Sequence, residues 1–193
     1  MDYLHQRGVK TVYLDGVQKA VSLYERAGFR KVCPSLRFFG RLAGRSHPGV
    51  RAMTLADLEM VCRLDLEAFG ADRGFFLRRR LELAPDLCQV LVPGSRIAGY
   101  IMARQRSGLL AVGPWVVREG IDRPERLLES LVLAAGDADI ALGVLGIHAP
   151  AVEFIRSLGL AERPFPPWRM VLGRRGRLGA SRCCFAVGSA AKG

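Results

Sequence analysis

The chain has 193 residues, of which half are hydrophobic and 24% are charged, and it carries a formal net charge of +11. This composition is typical of a soluble globular protein; with no apolar run of about twenty residues and no N-terminal signal sequence, we expect a cytoplasmic protein with no membrane partner. The positive charge is spread along the chain without a nucleic-acid-binding motif, and the five cysteines lack CxxC spacing, so nucleic acid, a metal ion and a disulfide framework are all disfavoured.

A segment near the N-terminus returns later in the chain. Residues Ala20–Phe29 and Ala151–Leu160 share apolar positions at helical spacing followed by a glycine, which predicts the same helix end twice. The strand-like residues Leu36–Arg41 and Trp168–Arg174 extend the repeat. A repeat of helix, glycine and strand indicates two related units. We place a C-terminal fragment of the first unit at residues 1–45 and a complete second unit at residues 46–193. We expect the fragment to dock on the complete unit or to pair with another chain, as in a homodimer.

The complete unit begins with a short strand and two helices. Val50–Met53 alternates as a strand, and Thr54–Asp57 has the spacing of a capping box, which predicts a helix start. Gly70 ends this helix, and a second helix follows over Arg73–Leu83. The predicted buried stripe of the first helix consists of Leu58, Val61, Cys62, Leu66 and Phe69. The arginines of the second helix, Arg73 and Arg78 to Arg80, are interpreted as solvated residues.

An antiparallel meander, followed by two helices and three further strands, is predicted for the rest of the unit. Three β-rich runs predict an antiparallel meander over Cys88–Val92, Arg96–Arg104 and Leu109–Val117. Gly113-Pro114 lies inside the third strand, so we expect a bulge or splay there, with unpaired backbone on one side. The remaining pattern predicts a helix after Asp122–Glu125, a strand at Asp139–Val144, a helix at Pro150–Leu158, and strands at Trp168–Leu172 and Cys183–Val187. This order predicts an α/β fold, a mixed sheet with helices on both faces.

The element order, the Val50–Leu58 opening and the Leu23–Phe29 block resemble the GNAT superfamily of acetyl-CoA-dependent N-acetyltransferases. The chain is similar, more closely, to tandem GNAT proteins whose divergent second domain begins with a Phe-Gly-x-Asp-Arg block, here Phe69–Arg73, and ends like Phe185–Gly188. The resemblance implies a GNAT-like acyl-CoA N-acyltransferase fold preceded by the C-terminal fragment of another GNAT unit. It also implies acetyl-CoA as cosubstrate, no metal, and an amine of a small molecule or a protein as acyl acceptor.

The resemblance implies a cofactor site at the splayed strand. In the family the splayed strand pairs with the pantetheine amides, a role that falls here to Trp115, Val116 and Val117; Trp115 is either a wall of this cleft or a core residue. The next helix N-terminus binds the pyrophosphate in the family. Here it carries Glu119, Asp122 and Pro124, whose charges and missing N–H group disfavour an anion. Three neighbouring arginines either bind the pyrophosphate and so compensate for these unfavourable residues, or are solvated residues of the first helical turn: Arg118, Arg123 and Arg126.

Two residues are candidates for proton transfer. Tyr24 matches the tyrosine that protonates the leaving thiolate in many GNAT enzymes, whereas the second copy of the repeat has Ile155 at that position. Alternatively, Tyr24 is a packing residue on an amphipathic helix. His148 falls at the helix-start asparagine of the family and is either a pantetheine contact or base, or a helix cap.

These features lead to two alternative functions. The first is an acyltransferase that moves an acetyl group from acetyl-CoA to an amine of an unidentified substrate. The second is a noncatalytic GNAT-fold domain used for association or regulation, which the degenerate pyrophosphate loop favours. The acetyl-transfer interpretation depends on an open gap beside Leu109–Val117, and pairing along that whole strand would argue against it.

Overall fold

The computed structural model describes residues 2–136, 138–174, 176, 179 and 181–188. In this part of the chain the α-helices are α1 (Asp2–Gln6), α2 (Val21–Arg26), α3 (Leu58–Phe69), α4 (Gly74–Leu83), α5 (Glu125–Ala135) and α6 (Ala149–Ser157). The first strands are β1 (Thr11–Gly16), β2 (Arg30–Gly40), β3 (Val50–Ala52), β4 (Cys88–Leu91) and β5 (Gly99–Arg106). The later strands are β6 (Leu109–Val117), β7 (Asp139–Leu145), β8 (Ala161–Glu162), β9 (Trp168–Gly173) and β10 (Cys184–Ala186). None of the helices within these residues is long and apolar enough to cross a membrane.

The strands form one mixed sheet with helices on both faces, as the sequence predicts. Their order is β1-β9-β2-β7-β6-β5-β4-β3, and β10 and β8 pair additionally with β6 and β2. Strands β6 and β7 run parallel, and the others in this order pair antiparallel. Side chains alternate along each strand, so Tyr100 and Met102 of β5 pack under α3 and α4, while Ile101 and Ala103 pack under α5 and α6.

The local signals of the complete unit are confirmed. Thr54 and Asp57 form the predicted capping box, and Gly70 ends α3 in the left-handed conformation with φ of 86°. The predicted stripe of α3 is wrong at Leu66, which is 50% exposed. The buried face instead contains Leu64 and the charged Asp65. Asp65 can be buried because the Arg73 guanidinium and the Tyr100 hydroxyl both donate to its carboxylate, and a pattern of apolar residues alone does not reveal this.

The repeated segments occupy equivalent places in the sheet. Strand β1 pairs with β9 over Thr11–Gly16, and β7 pairs with β2 over Ile140–Leu145, both antiparallel and six residues long. Between these pairs β2 lies against β9. In the repeat, β1 corresponds to β7 and β2 corresponds to β9. Exchanging these strands turns the order β1-β9-β2-β7 into β7-β2-β9-β1, which is the same order read from the other end. Residues of the expected N-terminal fragment thus contribute two strands to the common sheet. Its boundary at residue 45 and its origin in another GNAT unit stay predictions.

Candidate functional site

Strand β6 changes partners at the predicted splay. It pairs with β7 over Leu109–Val112 and leaves it at Gly113-Pro114, where the peptide bond is cis. Beyond this point the edge does not stay open, and the expectation of unpaired backbone is wrong. Strand β10 pairs with it at Trp115 and Val116, and the Val117 N–H donates to the carbonyl of Cys183 at 2.9 Å. The edge that the family offers to pantetheine is therefore covered by the chain's own strand.

The terminal segment also reaches β7, on the other side of the gap. The Val187 N–H donates to the Gly143 carbonyl at 3.2 Å. A Cβ atom on Gly113, whose φ is +130°, would lie only 2.7 Å from the backbone nitrogen of Gly188. Glycine is thus required at the splay because the terminal segment passes directly over it. Residues 183–188 bridge the two strands that separate here.

A buried ion pair holds this segment in place. Arg73 donates from Nε and Nη2 to the two carboxylate oxygens of Asp65, at 2.9 and 2.5 Å, and from Nη1 to the Val187 carbonyl at 2.7 Å. The Tyr100 hydroxyl donates to the same carboxylate. Burial alone would lower the pKa of Arg73, but the bonds to Asp65 raise it, so the guanidinium stays charged. The interpretation of Arg73 as solvated is therefore wrong: the side chain is buried, where it binds the carboxylate of Asp65 and the backbone of Val187.

Aromatic packing closes the gap from the other face. Trp115 is fully buried, with its ring centroid 5.0 Å from that of Phe185 and 6.1 Å from that of Phe154. Val116 and Val117 are also buried. Because Trp115 is fully buried, it is a core residue rather than the wall of an open cleft.

The predicted pyrophosphate loop offers an anion few free donors. Helix α5 begins after Pro124, which has no N–H, and the amides of Arg126 and Leu127 donate to carbonyls of the preceding turn. Arg118 contacts Glu67 at 3.1 Å, and Arg123 contacts Glu125 at 2.8 Å. Arg126 makes no side-chain hydrogen bond or ion pair within the described residues, so one of the three predicted cations is uncommitted.

His148 is the backbone N-cap of α6, but its side chain makes no capping hydrogen bond. The side chain is 5% exposed, and neither ring nitrogen has a hydrogen-bond partner among the described residues. Burial, followed by the charge of Arg182, lowers the pKa of His148, so the ring is neutral near pH 7. Arg182 directly precedes the segment 183–188 that bridges β6 and β7, so the ring lies near that segment. The role of His148 as a base or a pantetheine contact stays a prediction.

Tyr24 lies in a different part of the sheet. It is half-buried and meets Phe29 edge-to-face at 5.8 Å. Its cluster contains residues of β1 and β9, such as Leu14 and Met170, and none of β6 or β10. The structure therefore does not bring Tyr24 together with Trp115 or His148. Among the described residues, no group of histidine, cysteine and acidic side chains could hold a metal ion.

The described residues do not fit acetyl-CoA in this arrangement, because β10 takes the pantetheine edge and the pyrophosphate loop is acidic. Sequence reasoning located the strand, the loop and the cap, but it missed β10 as the occupant of the gap. One signal was available: Asp65 lies among the apolar residues on the buried side of α3 and therefore needs a cationic partner. That partner is Arg73, which also binds the backbone of Val187 just after β10.

Comparison with known proteins identifies the fold. The family model described as an acetyltransferase (GNAT) domain matches residues 61–183. A candidate acetyltransferase from Pyrococcus horikoshii has 20% identity and a TM-score of 0.77, with 99% of this chain and 63% of that chain covered. A GCN5-related N-acetyltransferase from Sphaerobacter thermophilus has 18% identity and a TM-score of 0.62, with 89% and 62% covered.

The chain thus spans less than two thirds of the length of these two structural relatives. No curated protein matches. At such low identity the solved structures establish the fold alone, whereas the family model covers most of the chain. This chain belongs to the GNAT acetyltransferase domain family.

Proposed function

We propose that this chain is a noncatalytic GNAT-fold domain that works by association with another acyltransferase unit. The observation that carries the proposal is the pairing of β10 with β6 at Trp115 and Val116. A thioester carrier that uses the same backbone edge has to displace a strand anchored by Arg73 and packed through Phe185. The cost of that displacement opposes acetyl-CoA binding.

The pyrophosphate end supports the same proposal. An anion at a helix N-terminus is stabilised by free N–H groups and by the helix dipole. Helix α5 begins at Glu125 with Pro124 as its N-cap, so one donor is missing and a carboxylate lies in the first turn. Both features oppose a pyrophosphate, and they do so independently of β10.

The association surface we propose is the outer edge of β1. This strand ends the sheet order, so its outer edge has no partner strand within the described residues. In the repeat, β1 corresponds to β7, and β7 uses the equivalent edge to pair in parallel with β6. A strand of another acyltransferase unit, equivalent to β6, would complete the edge of β1. A homodimer is one form of this association, and concentration-dependent light scattering tests for it.

Calorimetry with acetyl-CoA tests the noncatalytic role. We expect no binding heat at millimolar ligand, with circular dichroism showing that the protein is folded. Cys184 of β10 reports on the gap in the same sample, because it is buried and burial raises its thiol pKa to about 12. Peptide mapping after alkylation should show Cys184 protected with or without acetyl-CoA. Binding heat together with faster labelling of Cys184 would overturn the proposal.

Acetyl transfer to an amine is the second candidate, favoured by membership of an acetyltransferase family. It requires β10 to leave β6. Replacing Phe185 with alanine weakens the packing of β10 on Trp115 while leaving the loop before α5 intact. If F185A binds acetyl-CoA and the unmodified chain does not, the gap retains a cofactor site that β10 blocks. If neither binds, loosening the packing of β10 does not create a cofactor site, and the noncatalytic role is supported.

A further inference from the structure

A pocket of about 200 Å³ lies on the α4 face of the sheet, beside the closed gap. Its floor follows directly from strand register: Ala111 of β6 is paired with Ala141 of β7, and Ala141 with Phe39 of β2. The neighbouring floor positions are Gly113 and Gly143. Side chains this small leave a depression in the middle of the sheet that the helices do not fill.

Arginines surround this floor. Arg104 of β5 is the register partner of Ala111 and forms one wall. Arg37 forms the opposite wall, with its Nη1 over Gly143, where an added Cβ would lie 2.5 Å away. Arg80 of α4 lines the pocket as well, and no acidic residue is among its lining residues. A second pocket of about 370 Å³ shares Arg80 and Arg104 with the first.

The three arginines differ in their partners. Arg37 is neutralised by Asp15 at 2.7 Å and also donates to Ser35. Arg80 is only 8% exposed, yet its guanidinium makes no hydrogen bond or ion pair with any described residue and lies 5.2 Å from the ring of Phe76. The side chain of Arg104 likewise makes no hydrogen bond or ion pair with the described residues.

Among the described residues, no acidic side chain forms an ion pair with Arg80 or lines its pocket. Burial, and then the charge of Arg104, lowers the pKa of Arg80. Burial raises the pKa of the neighbouring Cys88 thiol to about 12, so this thiol stays neutral. A guanidinium that is partly withdrawn from water beside a second cation favours an anion in the pocket that both cations line.

We propose that this pocket binds a small organic carboxylate through Arg80 and Arg104. Guanidinium groups bind carboxylates with paired, charge-assisted hydrogen bonds, which supply the missing counter-charge. The apolar part of the lining on this face, Phe39 with Ala111 and Ala141, suits a ligand that carries a short hydrocarbon chain behind its carboxylate. The site adjoins the closed gap, with which it shares Gly113 and Gly188, and it goes beyond the proposed role in association.

Calorimetry with glutarate at constant ionic strength tests the site on the full chain. R80Q and R104Q should each weaken glutarate binding about tenfold or more, as expected for loss of a hydrogen bond to a charged group. The matched control is R78Q, which removes the same charge from an exposed position on the same helix and should change the affinity less than about twofold. A141L keeps every charge but fills the floor, and it should abolish binding.

The neutral analogue glutaramide and inorganic phosphate complete the panel. Glutaramide should not bind, and phosphate should bind more weakly than glutarate because it makes no use of the apolar lining. Absence of glutarate binding to the unmodified chain would overturn the proposal. So would equal losses in R78Q and R80Q, which would indicate diffuse electrostatic attraction, or phosphate binding as tight as that of glutarate.

Discussion

Arg73 and Arg80 lie seven residues apart, immediately before and within α4, and both are 8% exposed. Arg73 meets a carboxylate, and its remaining donor binds a backbone carbonyl of the terminal segment. Arg80 meets an aromatic ring and another arginine. Two arginines with the same exposed fraction thus differ in role: the first stabilises the fold, and the second has guanidinium donors that no described residue accepts and that face a pocket.

Removing Arg73 is expected to have the largest effect. In R73M the carboxylate of Asp65 stays buried without its cation, and the Val187 carbonyl loses a donor. We expect a loss of about 3–5 kcal/mol in the free energy of unfolding, measured by urea titration. Alkylation of Cys184 should also become faster, because β10 loses its anchor. R79M, at an exposed position of α4, is the control and should stay within about 0.5 kcal/mol.

Removing Arg80 should have a smaller effect of opposite sign. R80M keeps the apolar stem of the side chain and removes an uncompensated buried charge, so we expect stabilisation of about 1 kcal/mol without ligand. Urea titration in a carboxylate-free buffer measures it. A loss of stability comparable to that of R73M would mean that Arg80 has a structural partner, and the distinction between the two arginines would fail.

The smallest expected effect is the contribution of His148 to the pH dependence of the free energy of unfolding. Unlike arginine, histidine loses its proton when it is buried, and its pKa in the folded chain is lowered. As the pH falls, the unfolded chain binds the proton first, so stability decreases below the unfolded pKa of about 6.5. Between about pH 7.5 and about pH 5.5 this amounts to no more than about 1.4 kcal/mol. H148N should lose less stability over that range, and an unchanged pH dependence would contradict this account.

The local elements were predictable because their causes are local. The capping box at Thr54 and Asp57, the stop at Gly70 and the turns of the meander each depend on a few neighbouring residues. Gly113-Pro114 likewise marked the place where β6 leaves β7. The buried side of α3 was predicted less well, because Asp65 is stabilised by Arg73 and Tyr100 rather than by apolar neighbours.

The candidate site shows the same division. Sequence reasoning indicated that the loop before α5 disfavours an anion, since the acidic residues and Pro124 are written in the chain. It did not indicate which strand lies beside Trp115. The first residue of β10, Cys184, is 68 residues from its partner Val116, and pairing between such distant strands depends on the whole sheet. Nor did it distinguish Arg80 from its exposed neighbours, since three consecutive arginines look alike until a helix is packed.

By itself, the sequence determined the element order, the helix ends, the interruption in β6 and the internal repeat, since each depends on backbone chemistry or short-range periodicity. Only the tertiary structure decided that the terminal strand closes the gap, that Arg73 anchors it, and that Ala111, Ala141 and the arginines form a pocket. Those features arise where distant segments meet, because burial, register and charge pairing are properties of the folded sheet and its covering helices.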